Sequence, residues 1–122
     1  MLMNWTMPYR CSCCLIGFLL LGQLNVAHAA TPTVELRIEN HIFVPDIIEI
    51  PANQKVRLMV VNADPTPEEF ESYELNREKV IAGGRKAAIF VGPLAPGDYP
   101  FFGEFNPRTA QGLVRVIEGK PL

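Results

Sequence analysis

Apolar and polar residues alternate along several short segments of the chain after residue 30. In the first segment, Val34, Leu36 and Ile38 alternate with charged residues. The same period of two recurs in three later segments, at residues 56–61, 88–91 and 113–116. Alternation that includes many β-branched residues is typical of strands with one buried face. The pattern therefore predicts an all-β domain.

Turn-forming residues separate these segments. Proline, glycine, asparagine and aspartate cluster at residues 51–53, 64–67, 83–84, 93, 96–97 and 107. Short strands interrupted by turn signals at regular spacing indicate a β-sandwich. Residues 68–79 do not show this alternation clearly. Phe70, Tyr73 and Leu75 form no clean helical stripe either, so the sequence allows a helical turn there without predicting one. No internal repeat and no second domain is visible.

The first 29 residues have the pattern of a secretory signal peptide. Arg10 precedes an apolar run at residues 15–21, and Ala27-His28-Ala29 gives a small-x-small cleavage pattern. The run is about half of the ~20 residues that span a bilayer. We expect cleavage after Ala29, with an uncleaved tether as the alternative. The sequence thus predicts a signal peptide at 1–29, a domain at 30–122 and a periplasmic location.

Cleavage changes the chemistry that the protein can perform. All three cysteines lie in the predicted signal, and the mature chain keeps one histidine, His41, and one methionine, Met59. No disulfide can form, and no cysteine nucleophile or Ser/His/Asp set is evident, so a hydrolase is not expected. The whole chain has 11 Lys and Arg against 13 Asp and Glu, a net charge of −2. This weak acidity argues against binding to nucleic acid or anionic membranes.

Two segments resemble cupredoxins. "FVPDIIEIPA", residues 43–52, fits the pattern F-x-P-x-x-I-x-I-P-A of the N-terminal half of a cupredoxin. "LAPGDYPFFGEFNPRTAQGLVRV", residues 94–116, resembles the C-terminal half, in which a tyrosine-containing strand leads into the ligand loop and the closing strand. The resemblance implies a cupredoxin-like Greek-key β-sandwich.

The resemblance also implies which positions would hold type-1 copper. In the final loop the cysteine, histidine and methionine positions correspond to Gly103, Asn106 and Gln111, and Glu68 takes the place of the other histidine. A blue-copper centre needs one thiolate and two imidazoles. The mature chain supplies no thiolate and one imidazole, so type-1 copper is not expected.

"EEFESYELNREKVIAGG", residues 68–84, is similar to the acidic and aromatic stretch of EfeO-type cupredoxins of bacterial ferrous-iron uptake. That resemblance implies iron as the bound metal, with copper as the alternative, and an iron permease or another uptake component as the partner. It implies binding, oxidation or delivery of iron, and leaves open whether the chain is a component of a ferrous-iron oxidase.

Seven residues are candidate metal ligands near the expected ligand end of the sandwich. They are His41, Glu68, Glu69, Glu71, Glu104, Asn106 and Gln111. Oxygen donors suit hard cations, and one imidazole favours a transition metal. If 68–71 is a strand, Glu69 and Glu71 share one face and Glu68 shares the other with Phe70, so either face could bind metal. Phe102, Phe105 and Tyr73 are expected to pack in the core.

Two other functions are compatible with the sequence. A metal-free cupredoxin-fold adaptor for a membrane partner would also lack the copper ligands. A carrier of copper(II) or another divalent cation would use His41 and the carboxylates.

Overall fold

The computed structural model describes residues 29–122, together with the isolated residues Leu2 and Ala27. Apart from those two and Ala29, the predicted signal peptide lies outside the described residues. The described part of the chain forms nine strands and no helix. The strands are β1 (Thr33–Glu39), β2 (Ile42–Val44), β3 (Ile47–Pro51), β4 (Val56–Asn62), β5 (Glu68–Ser72), β6 (Arg77–Ile81), β7 (Lys86–Val91), β8 (Gly97–Gly103) and β9 (Gln111–Ile117). Within those residues, therefore, no helix is available to cross a membrane.

The strands form two sheets that pack face to face, as the alternation predicts. One sheet has the order β2-β1-β4-β7 and the other the order β3-β9-β8-β5-β6. β1 pairs with β4, and β3 with β9, in parallel; the remaining pairs are antiparallel. The expected all-β sandwich is confirmed.

The core lies between the two sheets, where alternate residues of each strand are buried. β4 shows this most regularly, because Val56, Leu58 and Val60 are buried and the residues between them are half-buried. Three phenylalanine rings fill the centre: Phe101 lies 4.9 Å from Phe43 and 5.0 Å from Phe70, measured between ring centroids. Offset and edge-to-face aromatic contacts of this kind stabilise a core beyond the area that they bury.

Residues 68–79 form a strand, a turn and the start of a second strand, so the helical turn left open by the sequence is not formed. β5 buries Glu68, Phe70 and Ser72 and turns Glu69 and Glu71 outward. The turn at residues 73–76 ends at Asn76, whose φ of 50° lies in the left-handed region that asparagine tolerates well. β5 lies between β6 and β8. Its inward and its outward side chains therefore belong to two separate clusters of polar residues, one on each face of the sheet.

Candidate metal centre

The first polar group lies inside the sandwich and is built around Glu68. This side chain is 1% exposed, yet each carboxylate oxygen has a donor. Oε1 accepts hydrogen bonds from the backbone N–H of Glu69 at 2.9 Å and of Phe105 at 3.0 Å. Oε2 accepts one from Nδ2 of Asn106 at 2.7 Å. A buried carboxylate is tolerated when it is hydrogen-bonded in this way.

Gly103 gives this carboxylate its space. A Cβ atom at residue 103 would lie 2.7 Å from Cδ of Glu68 and 2.7 Å from Cβ of Ala110. Real side chains essentially never approach so closely, and Ala110 is fully buried. The residue at the expected cysteine position therefore packs directly against the residue at one expected histidine position.

The second polar group lies on the outer face of the same sheet. Glu69 and Glu71 of β5 and Glu78 of β6 each offer a carboxylate oxygen, and these oxygens lie within 4.8 Å of one another. We call these three residues the acidic face. Glu71 and Glu78 are direct partners in the antiparallel pair. Among the described residues, none of the three carboxylates forms a salt bridge or accepts a side-chain hydrogen bond.

The electrostatics of the acidic face are unfavourable without a cation. Partial burial raises the pKa of Glu71, and the negative charges of Glu78, Glu69 and Glu104 raise it further. Glu104 belongs to the loop after β8, and its backbone N–H donates to the carbonyl of Glu69 at 2.9 Å. The loop thus brings a fourth carboxylate toward the acidic face.

His41 lies in a different environment. Asn40 and His41 both have positive φ and form the two-residue turn between β1 and β2, as a type I′ turn requires. Their N–H groups donate to the carboxylate of Asp64 at 2.7 and 2.9 Å, and Nδ1 of His41 lies 3.6 Å from that carboxylate. The N–H of His41, then that of Asn40 and the charge of His41, lower the pKa of Asp64 against the opposing effect of burial. Thr109 also donates to the carbonyl of His41.

Gln111 is exposed at the start of β9, and its Nε2 donates to the carbonyl of Pro107 at 3.0 Å. The seven predicted residues are therefore distributed over several places. Glu68 and Asn106 meet in the interior, Glu69 and Glu71 meet on the outer face near Glu104, and neither His41 nor Gln111 forms a hydrogen bond or ion pair with a glutamate.

Sequence reasoning missed Glu78 and misplaced three aromatic residues, Tyr73, Phe102 and Phe105. The register of β5 and β6 sets Glu78 opposite Glu71. The sequence feature that could have indicated this pairing is Asn76, a turn residue that marks a hairpin between the two strands. Tyr73 and Phe105 were expected in the core, but they are 73% and 49% exposed. Tyr73 instead packs edge-on against Phe102 on the outer surface, at 5.5 Å between centroids.

Most of this chain matches the model of a known protein family. The family model described as "Cupredoxin-like domain" matches residues 12–116. A curated relative, an uncharacterized protein of Rickettsia prowazekii (strain Madrid E), is 47% identical over 83 residues, which are 68% of this chain. The match spans 66% of that relative, so this chain covers slightly less than two thirds of its length.

Solved structures of other proteins have folds similar to that of this chain. The metal-binding domain of the Cu(I)-exporting P-type ATPase CopA of Streptococcus pneumoniae D39, solved with Cu(I), superposes with a TM-score of 0.63 at 17% identity, covering 70% of this chain and 85% of that domain. Amicyanin from Paracoccus versutus gives a TM-score of 0.57 at 18% identity, covering 75% of this chain and 87% of amicyanin. At such identities the similarity concerns the fold alone.

Proposed function

We propose that this chain, which belongs to the family of cupredoxin-like domains, binds iron on the acidic face and delivers it to an iron permease. The protein would act in the periplasm, as part of a bacterial ferrous-iron uptake system. The iron ion is cargo in this proposal, and the carboxylates of Glu69, Glu71 and Glu78 are its first ligands. The charge of Glu104, which acts on Glu71, adds to the attraction for the cation.

The observation that carries the proposal is the convergence of three carboxylates that form no salt bridge with any described residue. Their oxygens lie within 4.8 Å of one another, whereas five other acidic residues of the described chain form salt bridges: Glu35, Glu39, Glu49, Asp64 and Asp98. Like charges held together repel each other, and a bound cation removes that repulsion. The cost of assembling the acidic face is thereby offset when a cation is bound.

The donor set favours a hard cation. Carboxylate oxygens suit iron, manganese, magnesium and calcium better than they suit Cu(I), which prefers thiolate and thioether ligands. Fe(III) gains more from three negative charges than Fe(II) does, so the same face would also favour oxidation of bound iron when dioxygen accepts the electron. The choice of iron among hard cations is supported by the resemblance of residues 68–84 to EfeO-type cupredoxins.

The experiment is an anaerobic titration of the purified mature chain with Fe(II), followed by calorimetry. We expect saturation near one iron per chain, and we expect Glu71→Gln and Glu78→Gln each to weaken binding strongly. Glu118→Gln is the matched control, because Glu118 is exposed beyond the far end of β9. Equal binding by all four proteins, or no saturable binding by any, would contradict the proposal. Later exposure to air, followed optically, shows whether bound iron oxidises faster than iron in buffer.

A metal-free adaptor is the second candidate, and a specific surface favours it. Tyr73 and Phe102 form an aromatic contact on the outer face, and Phe105 is half-exposed nearby in the chain. Exposed aromatic residues are enriched where proteins bind proteins. The interior polar group needs no ion either, because protein donors satisfy Glu68.

Growth of the producing bacterium in iron-limited medium separates the two candidates. An adaptor retains its function in Glu71→Gln/Glu78→Gln and loses it in Tyr73→Ala. An iron carrier shows the opposite order, provided that both variants are folded and present in equal amounts.

A further inference from the structure

We propose that Glu68 and Asn106 form a lock that holds the loop between β8 and β9 without a metal ion, and that this lock positions Glu104 beside the acidic face. The first half of the inference concerns the loop alone, and the second half rests on the proposed function. Glu68 and Asn106 are thus positioning residues in this proposal, while the outer carboxylates touch the cation.

The hydrogen bonds of Glu68 define the lock. Its carboxylate receives two donors from the loop, the N–H of Phe105 and Nδ2 of Asn106, from positions 37 and 38 residues away in sequence. No described Lys, Arg or His forms a salt bridge with this buried carboxylate. Its charge is therefore stabilised by N–H donors alone, and hydrogen bonds to an ionised acceptor are stronger than neutral ones.

Asn106 connects the lock to the rest of the loop. Its carbonyl accepts hydrogen bonds from the N–H of Thr109 at 3.2 Å and of Ala110 at 2.9 Å, and its N–H donates to the carbonyl of Gly103 at 3.1 Å. The N–H of Gly103 donates to the carbonyl of Ala110 at 2.8 Å, which closes the loop at its base. One side chain of the loop thus ties a closed ring of backbone hydrogen bonds to the interior of the sandwich.

Glu104 lies between two anchored neighbours. Gly103 packs against Glu68 and Ala110, and the N–H of Phe105 is bound to Glu68. The N–H of Glu104 itself is bound to the carbonyl of Glu69. Because three consecutive residues are held, the backbone of Glu104 has little freedom. The negative charge of the Glu104 side chain raises the pKa of Glu71. The interior lock therefore fixes the backbone position from which the Glu104 side chain extends.

The test exchanges the donor and the acceptor of the lock. Asn106→Asp places a carboxyl group where Nδ2 now lies 2.7 Å from Oε2 of Glu68. Two carboxyl groups this close share a proton at low pH, so the experiment is run at alkaline pH, where both are ionised, the like charges repel and the loop is released. Adding Glu68→Gln restores a donor opposite an acceptor, while the amide oxygen can still accept from Phe105. Arg108→Ala, an exposed change in the same loop, is the control.

Two readouts separate the lock from the proposed function. Hydrogen exchange of the Phe105 amide needs no metal: we expect it to be faster by about tenfold or more in Asn106→Asp, and restored in Glu68→Gln/Asn106→Asp. Unchanged exchange in Asn106→Asp, or no rescue in the double variant, overturns the lock, whether or not the protein binds iron.

The second readout is the effect of Glu104→Gln on Fe(II) affinity. We expect Glu104→Gln to weaken binding several-fold in wild type, to have little effect in the Asn106→Asp background, and to regain its effect in the rescued background. An equal effect in all three backgrounds overturns the positioning of Glu104. Absence of Fe(II) binding in wild type defeats the proposed function and the positioning together, while the exchange experiment still decides the loop lock.

Discussion

Glu71 of β5 stands directly opposite Glu78 of β6 in an antiparallel pair. Like charges at directly opposed positions of a sheet are destabilising. Glu78 lies on an edge strand, because β6 has a neighbouring strand on one side only. Charged residues on an edge strand also discourage pairing with strands of other molecules. The repulsion is thus a cost to the folded protein that a bound cation would remove.

Glu71→Gln is therefore expected to stabilise the ion-free protein. It removes one charge from a group of four, so the melting temperature should rise at low ionic strength. Salt screens exposed charges, so the rise should shrink as salt is added. Thermal denaturation in a chelator, at two salt concentrations, measures this, and Glu118→Gln should show little change. A lower melting temperature for Glu71→Gln in low salt would show that the opposed carboxylates do not repel.

Cation binding should weaken on acidification at a higher pH than for isolated carboxylates. The pKa of Glu71 is raised, so this group takes up a proton above the usual glutamate value of about 4.3, and the proton competes with the cation. The raised pKa also means that the ionised form of Glu71 is disfavoured in the folded protein. Below the unfolded pKa this group therefore does not reduce the free energy of unfolding. The free energy of unfolding falls as the pH rises from there through the folded pKa. Fe(II) or Mn(II) titrations between about pH 4 and pH 7 should show a steeper pH dependence in wild type than in Glu71→Gln.

Gly103→Ala should destabilise the protein. The added methyl group meets Glu68 and Ala110 at 2.7 Å, and overpacking of this kind costs about 1–3 kcal/mol. Urea denaturation measures the loss. In a Glu68→Ala background the same change should cost less, because one of its two obstacles has been removed. Equal losses in both backgrounds would assign the clash to Ala110 alone.

Asp64→Asn should destabilise the protein at neutral pH, because the carboxylate accepts the N–H groups of both Asn40 and His41. Loss of a hydrogen bond to a charged group costs about 2 kcal/mol. Since the folded pKa of Asp64 is lowered, its contribution is present above the unfolded value of about 3.9 and is lost as pH falls through the folded pKa. Urea denaturation at pH 7 and near pH 3 should therefore show a difference between wild type and variant that shrinks on acidification. A constant difference would mean that the charge of Asp64 is not involved.

The strands with strong alternation were predictable from the sequence. Residues 34–38, 56–61, 88–91 and 113–116 all lie in strands of the structure. Residues 68–72 were not clearly predicted, because two of the three inward residues, Glu68 and Ser72, are polar. The hydroxyl of Ser72 is satisfied by the carbonyl of Pro100, and such a partner cannot be found from local sequence. Polar inward residues conceal the period of two from any pattern based on hydrophobicity.

The candidate site was predictable in composition but not in arrangement. The sequence identified the carboxylates of residues 68–71 and 104, and strand alternation alone indicated that Glu68 and Glu69 face opposite ways. It could not indicate that the loop supplies two donors to Glu68, nor that the register sets Glu78 against Glu71. Both facts depend on contacts between distant segments. A buried carboxylate with donors and a carboxylate that binds metal have the same one-letter code.

The parallel pairing of β3 with β9 has a consequence for how the chain reaches its fold. β9 is the last strand in sequence, yet it lies inside its sheet, between β3 and β8, and Ile47 pairs with Leu113. The five-stranded sheet cannot close while the nascent chain still lacks its C-terminal residues, and a fold of high contact order is slow to form. A chain that ends before Gln111 should remain unfolded. Strand formation in the five-stranded sheet should likewise wait until Gln111–Ile117 is available to pair.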